Sequence, residues 1–153
     1  LICKSNLPMR TFSAKENEQK PQWYLIDAQN QVLGKVAVLA ATILRGKNKV
    51  TFTPHINNGD YVIVINAAKV TVTGKKNTNK IYMTYSGYIG GEKRENFSQL
   101  QKRRPELLIE RAVRGMLPHN RLGRKLMTKL KVYPGEKHPH QAQNPIPIEL
   151  SRK

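Results

Sequence analysis

The apolar and polar positions of this chain are organised around Tyr61-Val-Ile-Val-Ile65, an unbroken β-branched and aromatic run without a charge. A strand with one wet face alternates apolar with polar residues, so such a run belongs to a strand covered on both faces. It is too short to cross a membrane as a helix, and its Val, Ile and Tyr content favours strand. Asn58-Gly59 marks the turn that feeds it, and Asn66 closes it. Val70-Thr-Val-Thr73 alternates and stops at Gly74, which predicts a second, more exposed strand. Upstream, Trp23-Tyr-Leu-Ile-Asp27 reads as a strand ended by the polar turn 28–31. Over residues 32–45, Val36, Leu39, Ala40, Ile43 and Leu44 fall at helical spacing, and the opposite side carries Val38, Ala41 and Thr42 rather than charges. That is a largely buried helix, with Gly46 as its stop and Arg45, Lys47 and Lys49 where the helix dipole favours cations. Strand, helix and strand make a βαβ unit with a right-handed crossover, which sets the class as α/β.

Further along, residues 75–94 are Gly-rich and basic, with Lys75 and Lys76 at the start, a strand over Lys80 to Tyr85, and then Ser86-Gly-Tyr-Ile-Gly-Gly91. Such a loop either lays amides and aromatic faces against a nucleic acid or serves as a flexible connector. Ser98 with Gln101 has capping-box spacing for a short helix that restarts at Pro105. Leu108, Ile109, Ala112, Val113 and Met116 form the core stripe of the next helix, which ends at Pro118, with Glu106, Glu110, Arg111 and Arg114 facing away. Asn120 caps a last helix running to about Lys131, with Leu122, Leu126 and Leu130 on one side and Arg121, Arg124, Lys125 and Lys129 mostly on the other. From Arg111 to Lys131 seven Lys and Arg residues occur without one Asp or Glu. A merely solvated helix intersperses acidic partners, so this stretch is the principal candidate for a phosphate-facing surface. The remainder, His138-Pro-His140 and Gln141 to Pro147, carries too many prolines for a helix and reads as an extended arm. The organisation expected is an N-terminal extension over 1–22, one α/β domain over 23–133 and a C-terminal arm over 134–153.

Charge changes this picture from a fold into a function class. The 153 residues hold 27 Lys and Arg against 10 Asp and Glu, a formal net charge of +17. Self-repulsion on that scale calls for a polyanionic partner, and nucleic acid fits better than an anionic membrane, because the cations are spread along the chain rather than gathered on one amphipathic helix. The length suffices for one core burying roughly two-thirds of the extended surface, without disulfide or structural metal. The single Cys3 has no internal partner and fits a reducing compartment. No apolar run has the length of a transmembrane helix or the form of a secretory signal.

Catalytic and metal chemistry leave little trace. Gly34-Lys35, Gly46-Lys47 and Gly74-Lys75 lack both the upstream Gly of a phosphate loop and the Ser or Thr after the Lys. His138 and His140, two apart and with no third ligand nearby, make a poor tetrahedral set, so no metal is expected. Asp27 and Asp60 at strand ends are more simply backbone hydrogen-bond acceptors than catalysts. No cofactor and no enzymatic activity are expected. The competing reading is an RNA- or DNA-directed modifying enzyme on a basic α/β scaffold.

The words of the chain carry a family resemblance. Trp23-Tyr-Leu-Ile-Asp27, Ile43-Leu-Arg-Gly-Lys-Asn-Lys49, Thr53-Pro54, Gly59-Asp-Tyr-Val-Ile-Val-Ile-Asn66, Val72-Thr-Gly-Lys75, Arg114-Gly-Met-Leu-Pro118, Leu122-Gly-Arg124 and Leu130-Lys-Val-Tyr133 look like the bacterial-type large-subunit ribosomal protein thirteen family, over Trp23 to about Leu150. The resemblance implies a three-layer α/β/α domain on a four-stranded, mostly parallel sheet. It also implies a non-catalytic constituent of the large ribosomal subunit that binds large-subunit rRNA early in assembly, beside neighbouring ribosomal proteins, neither at a membrane nor as a homo-oligomer. His138 and His140 of the arm join the basic residues above, Lys131 included, as candidate rRNA contacts. His138-Pro-His-Gln-Ala-Gln143 resembles the cyanobacterial and plastid branch, which implies a chloroplast ribosome, or alternatively a cyanobacterial cytoplasm. The family usually has Arg-His where this chain has Thr84-Tyr85, and Pro where it has Ile89, the marks of a divergent organelle version.

Overall fold

The computed structural model describes residues 13–15 and 21–149. In chain order the elements are β1 (Trp23–Asp27), α1 (Leu33–Arg45), β2 (Tyr61–Ile65), the single turn α2 (Lys76–Asn79), β3 (Ile81–Tyr85), β4 (Glu92–Asn96), α3 (Phe97–Arg103), α4 (Pro105–Met116), α5 (Arg121–Met127), β5 (Leu130–Val132) and β6 (Ile146–Ile148). Four strands form one parallel sheet in the order β5-β2-β1-β6, flanked by helices, as the α/β reading expects. Trp23 pairs with Tyr61 and Asp27 with Ile65, and β2 also pairs with β5 along its other edge, so β2 and β1 are the two interior strands.

The uncharged run behaves as its composition dictates. Val62, Ile63 and Val64 are fully buried and Ile65 nearly so. Val62 and Val64 join Ile26 in a cluster with Val36, Ala40 and Leu44 of α1 and Leu108, Ile109 and Val113 of α4. Successive strand residues point to opposite faces, so Ile63 and Ile65 lie on the other side with Trp23 and Tyr61. There Trp23 stacks on Tyr61 at 4.3 Å between ring centroids, and His140 of the C-terminal segment lies 5.2 Å from Trp23. Helix α1 ends where the sequence places its stop: Gly46 adopts φ 75° and its N–H closes on the Ile43 carbonyl. Close packing explains Gly59, where an added Cβ would run into the carbonyl oxygen of Leu44.

Several elements depart from the sequence reading. Val70 to Thr73 is not a strand but a single parallel bridge, Thr71 to Val32. The Thr71 carbonyl accepts the Leu33 N–H at 2.9 Å, supplying the helix start that Val32 has no side chain to cap. The strand predicted over Lys80 to Tyr85 is β3, and it forms an antiparallel hairpin with β4, whose Glu-Lys-Arg-Glu-Asn has no apolar pattern to announce it. The capping box of α3 is Asn96 with Gln99, two residues before the Ser98 and Gln101 expected; Gln101 instead donates to the carbonyls of Ala68 and Val70. Met116 is 43% exposed rather than part of the core stripe. Helix α5 stops at Met127 instead of running to Lys131, and Leu130 belongs to β5, paired with β2. Strand β6, inside the segment read as an extended arm, joins the sheet beside β1; Pro147 is tolerated because β6 is an edge strand. The N-terminal extension falls largely outside the described residues, as does Cys3, but Ala14 is buried and its N–H reaches Thr53 Oγ1 at 3.4 Å.

Candidate nucleic-acid interface

Helix α4 opens on Pro105, where no intrahelical donor is lost, and its buried Leu108, Ile109 and Val113 fix how it sits on the sheet. That orientation leaves Arg114 exposed and Arg111 half-buried, with the Arg111 guanidinium 5.6 Å over the Tyr82 ring. After Leu117 and Pro118 the chain turns sharply into α5. Asn120 Oδ1 accepts the Gly123 N–H at 2.8 Å, and a Cβ at Gly123 would run into the Pro118 carbonyl oxygen. With Leu126 1% exposed as the anchor of α5, Arg121, Arg124 and Lys125 are turned outward. These three and Arg114 form no ion pair with any described residue.

Between α4 and α5 lies a cleft of about 630 Å³. Leu107, Leu117 and Met127 give it apolar walls, and Arg111, Arg114, Arg124 and His119 supply positive or polar edges, with Glu110 as a carboxylate among them. Guanidinium groups present paired donors that match phosphate oxygens, which is what a backbone-tracking surface requires. His119 and Lys80, whose ammonium is 5.2 Å over the Tyr82 ring, were not singled out by the sequence. His119 lies in the short connection between helices, where a break in periodicity is the only signal.

The other nominated residues do not all gather here. Arg45, 5.8 Å over the Phe52 ring, and Lys47 share a shallow groove with Val38, Thr42 and Met116, where the C-terminal ends of α1 and α4 meet. Lys75 and Lys76 are exposed at α2, and Lys131 is exposed on β5 opposite Ile63. Lys49, Lys129, His138 and His140 are already engaged internally. The Lys49 ammonium meets Asp60 at 2.6 Å, and the Asp60 side chain is fully buried; the same Oδ1 accepts the Gln22 N–H at 2.9 Å. Lys129, expected on the outer face of the last helix, instead turns inward and donates to the Gly59 carbonyl at 2.6 Å and Asn57 Oδ1 at 2.8 Å. Burial lowers its pKa, nearby Asp60 opposes that shift and Lys49 adds to it. His140 Nε2 hydrogen-bonds the Tyr133 hydroxyl at 2.8 Å, and His138 Nδ1 accepts the His140 N–H, so the pair holds the C-terminal segment against the sheet.

Leu126 separates the fold of this surface from its chemistry. Leu126→Ala should cost about 2 to 5 kcal/mol in a denaturant melt, because a fully buried side chain leaves a cavity, and nucleic-acid binding should fail only to the extent that the protein unfolds. Among the described residues no group of three or more His, Cys, Asp or Glu is placed to hold a metal, and no helix is long and apolar enough to cross a membrane.

The family model described as ribosomal protein L13 matches residues 21–139. The chain is 58% identical over 142 residues to the large ribosomal subunit protein uL13 of Akkermansia muciniphila, covering 93% of this chain and 100% of that one. It is 63% identical over 131 residues to the protein of the same name from Thermosynechococcus vestitus, covering 86% of each. With the uL13 of Synechococcus sp. strain JA-3-3Ab the identity is 64% over 125 residues, covering 82% of this chain and 83% of the relative. Matched over residues 21–139, which hold three of the four strands of the parallel sheet (β1, β2 and β5) and the basic helices α4 and α5, this chain belongs to the ribosomal protein L13 family.

Proposed function

We propose that this protein is a structural constituent of the large ribosomal subunit, holding large-subunit rRNA through the α4–α5 face and helping the early steps of subunit assembly. The observation that carries the reading is α5 itself: an acid-free helix anchored by Leu126, with Arg121, Arg124 and Lys125 exposed and free of ion pairs among the described residues, beside an arginine-edged cleft. Arg45 with Lys47, Lys75 with Lys76, and Lys131 supply secondary phosphate contacts; Lys49, Lys129, His138 and His140 contribute by holding the fold that presents them. No catalytic step is assigned to any residue. Identity above 60% to the cyanobacterial relatives supports a ribosome of the cyanobacterial and plastid lineage, with the chloroplast stroma as the proposed site.

Co-sedimentation separates this reading from an RNA-modifying enzyme on the same scaffold. A constituent should track with large subunits at one copy per particle and stay through a moderate salt wash. A substoichiometric protein that washes free would instead mark an enzyme that visits its substrate.

A further inference from the structure

The β3–β4 hairpin stands apart from the rest of this cationic protein. On β3, Ile81, Met83 and Tyr85 point to one face and are 53%, 60% and 67% exposed; at the tip, Tyr88 is 79% exposed and Ile89 fully so. The tip is a defined turn: the Ser86 N–H meets the Gly91 carbonyl at 3.1 Å, the Gly91 N–H meets the Tyr88 carbonyl at 2.9 Å, and Gly87 and Gly90 take the positive φ this path needs. The opposite face is the anchored one, where Tyr82 packs against the core. An exposed apolar stripe of this kind, on a hairpin already anchored by its other face, marks an interaction surface.

Electrostatics decides what covers it. Residues 81–96 hold Lys93 and Arg94 against Glu92 and Glu95, so this element is neutral inside a chain of net charge +17. Register places Arg94 opposite Met83 and Glu92 opposite Tyr85, on the apolar face itself. There Arg94 Nε and Nη2 donate to the two oxygens of Glu92, at 3.0 and 3.2 Å, so its charge is paired on this face. Glu95 pairs with Arg103 at 2.7 Å. Tyrosines also stack on unpaired bases, but RNA-binding platforms combine stacking with cations that meet the phosphates, and this face offers a carboxylate and a neutralised guanidinium instead. Tyr, Met and Arg around an apolar centre with few net charges is the composition of a protein–protein contact.

We propose that the β3–β4 hairpin is a protein-docking arm, whose Ile81, Met83 and Tyr85 stripe and Tyr88–Ile89 tip take a weakly charged, apolar surface of a neighbouring large-subunit protein. The proposal rests on the ribosomal reading above and assigns this arm a partner other than RNA. The full chain carrying photoreactive p-benzoylphenylalanine in place of Met83 is assembled into large subunits, irradiated and treated with ribonuclease; the same probe in place of Lys125 serves as reference. The Met83 probe should give one discrete adduct that survives ribonuclease and is lost to protease, while the Lys125 probe should give an RNA adduct. An RNA adduct at Met83, or no adduct there, overturns the docking arm; absence of RNA at Lys125 counts against the α5 reading alone. The variant Met83→Ser with Tyr85→Ser, altered only at exposed positions, should bind protein-free large-subunit RNA within about twofold of the parent, yet be retained about tenfold less in complete particles. Equal losses in both assays would place RNA on this face and overturn the proposal.

Discussion

Ile63→Asp and Val64→Asp should be equally ruinous, each removing at least about 4 kcal/mol of stability, because each buries an unpaired charge in the central strand. The two side chains are both fully buried, but on opposite faces of the sheet. Val64 looks into the cluster built by α1 and α4, and Ile63 lies on the side of Trp23, Tyr61 and the C-terminal segment. An ordinary half-wet strand would make one substitution severe and its neighbour mild. Denaturant melts, or soluble yield where no melt is measurable, compare the pair directly. Tolerance of either aspartate in folded protein would mean that β2 has a wet face and that one layer covering the sheet is missing.

That strand was the most legible part of the chain because its information is local: five residues with no charge leave no face for water. Helix α1, with its apolar period and Gly46, and α4, with Pro105 at its first position, are legible for the same reason. What the sequence hid is set by pairing across long separations. Leu130 continues the four-residue spacing of Leu122 and Leu126 and so looks helical, yet the edge of β2 recruits its segment: the Val62 N–H bonds the Lys129 carbonyl at 3.1 Å and the Tyr133 N–H bonds the Val64 carbonyl at 2.8 Å. Strand β6 is masked by its prolines, and β4 by its lack of any apolar residue. The candidate site was legible as a region, since a run of cations without acids shows in one dimension. Which lysines face outward did not show. Lys129 reads like its basic neighbours, and only the Gly59 carbonyl and Asn57, distant in sequence, draw it inward.

The other large effect concerns binding rather than stability. Arg121 and Arg124 project from a helix held by Leu126, so reversing both to glutamate should leave the melting temperature nearly unchanged, because exposed charges contribute little to stability. If each guanidinium makes a charge-assisted hydrogen bond to phosphate worth about 1.5 kcal/mol, removing two weakens RNA binding by roughly a hundredfold. The salt dependence should change with it. A phosphate that the protein no longer neutralises keeps its condensed counterion, so the double variant should lower the steepness of the log–log plot of affinity against salt by roughly 1.5 to 2. A distant substitution that merely loosened the fold would leave that slope alone while shifting the melt.

Filter binding of the folded Arg121→Glu, Arg124→Glu variant to large-subunit rRNA, titrated across salt beside the parent protein and paired with a thermal melt of each, is the decisive experiment for the α5 surface. The expected outcome is an unchanged melt, a binding loss of roughly a hundredfold at moderate salt and a shallower slope. Binding as tight and as salt-dependent as the parent's, in a variant that melts like the parent, would refute that surface and show the acid-free face of α5 to be merely solvated.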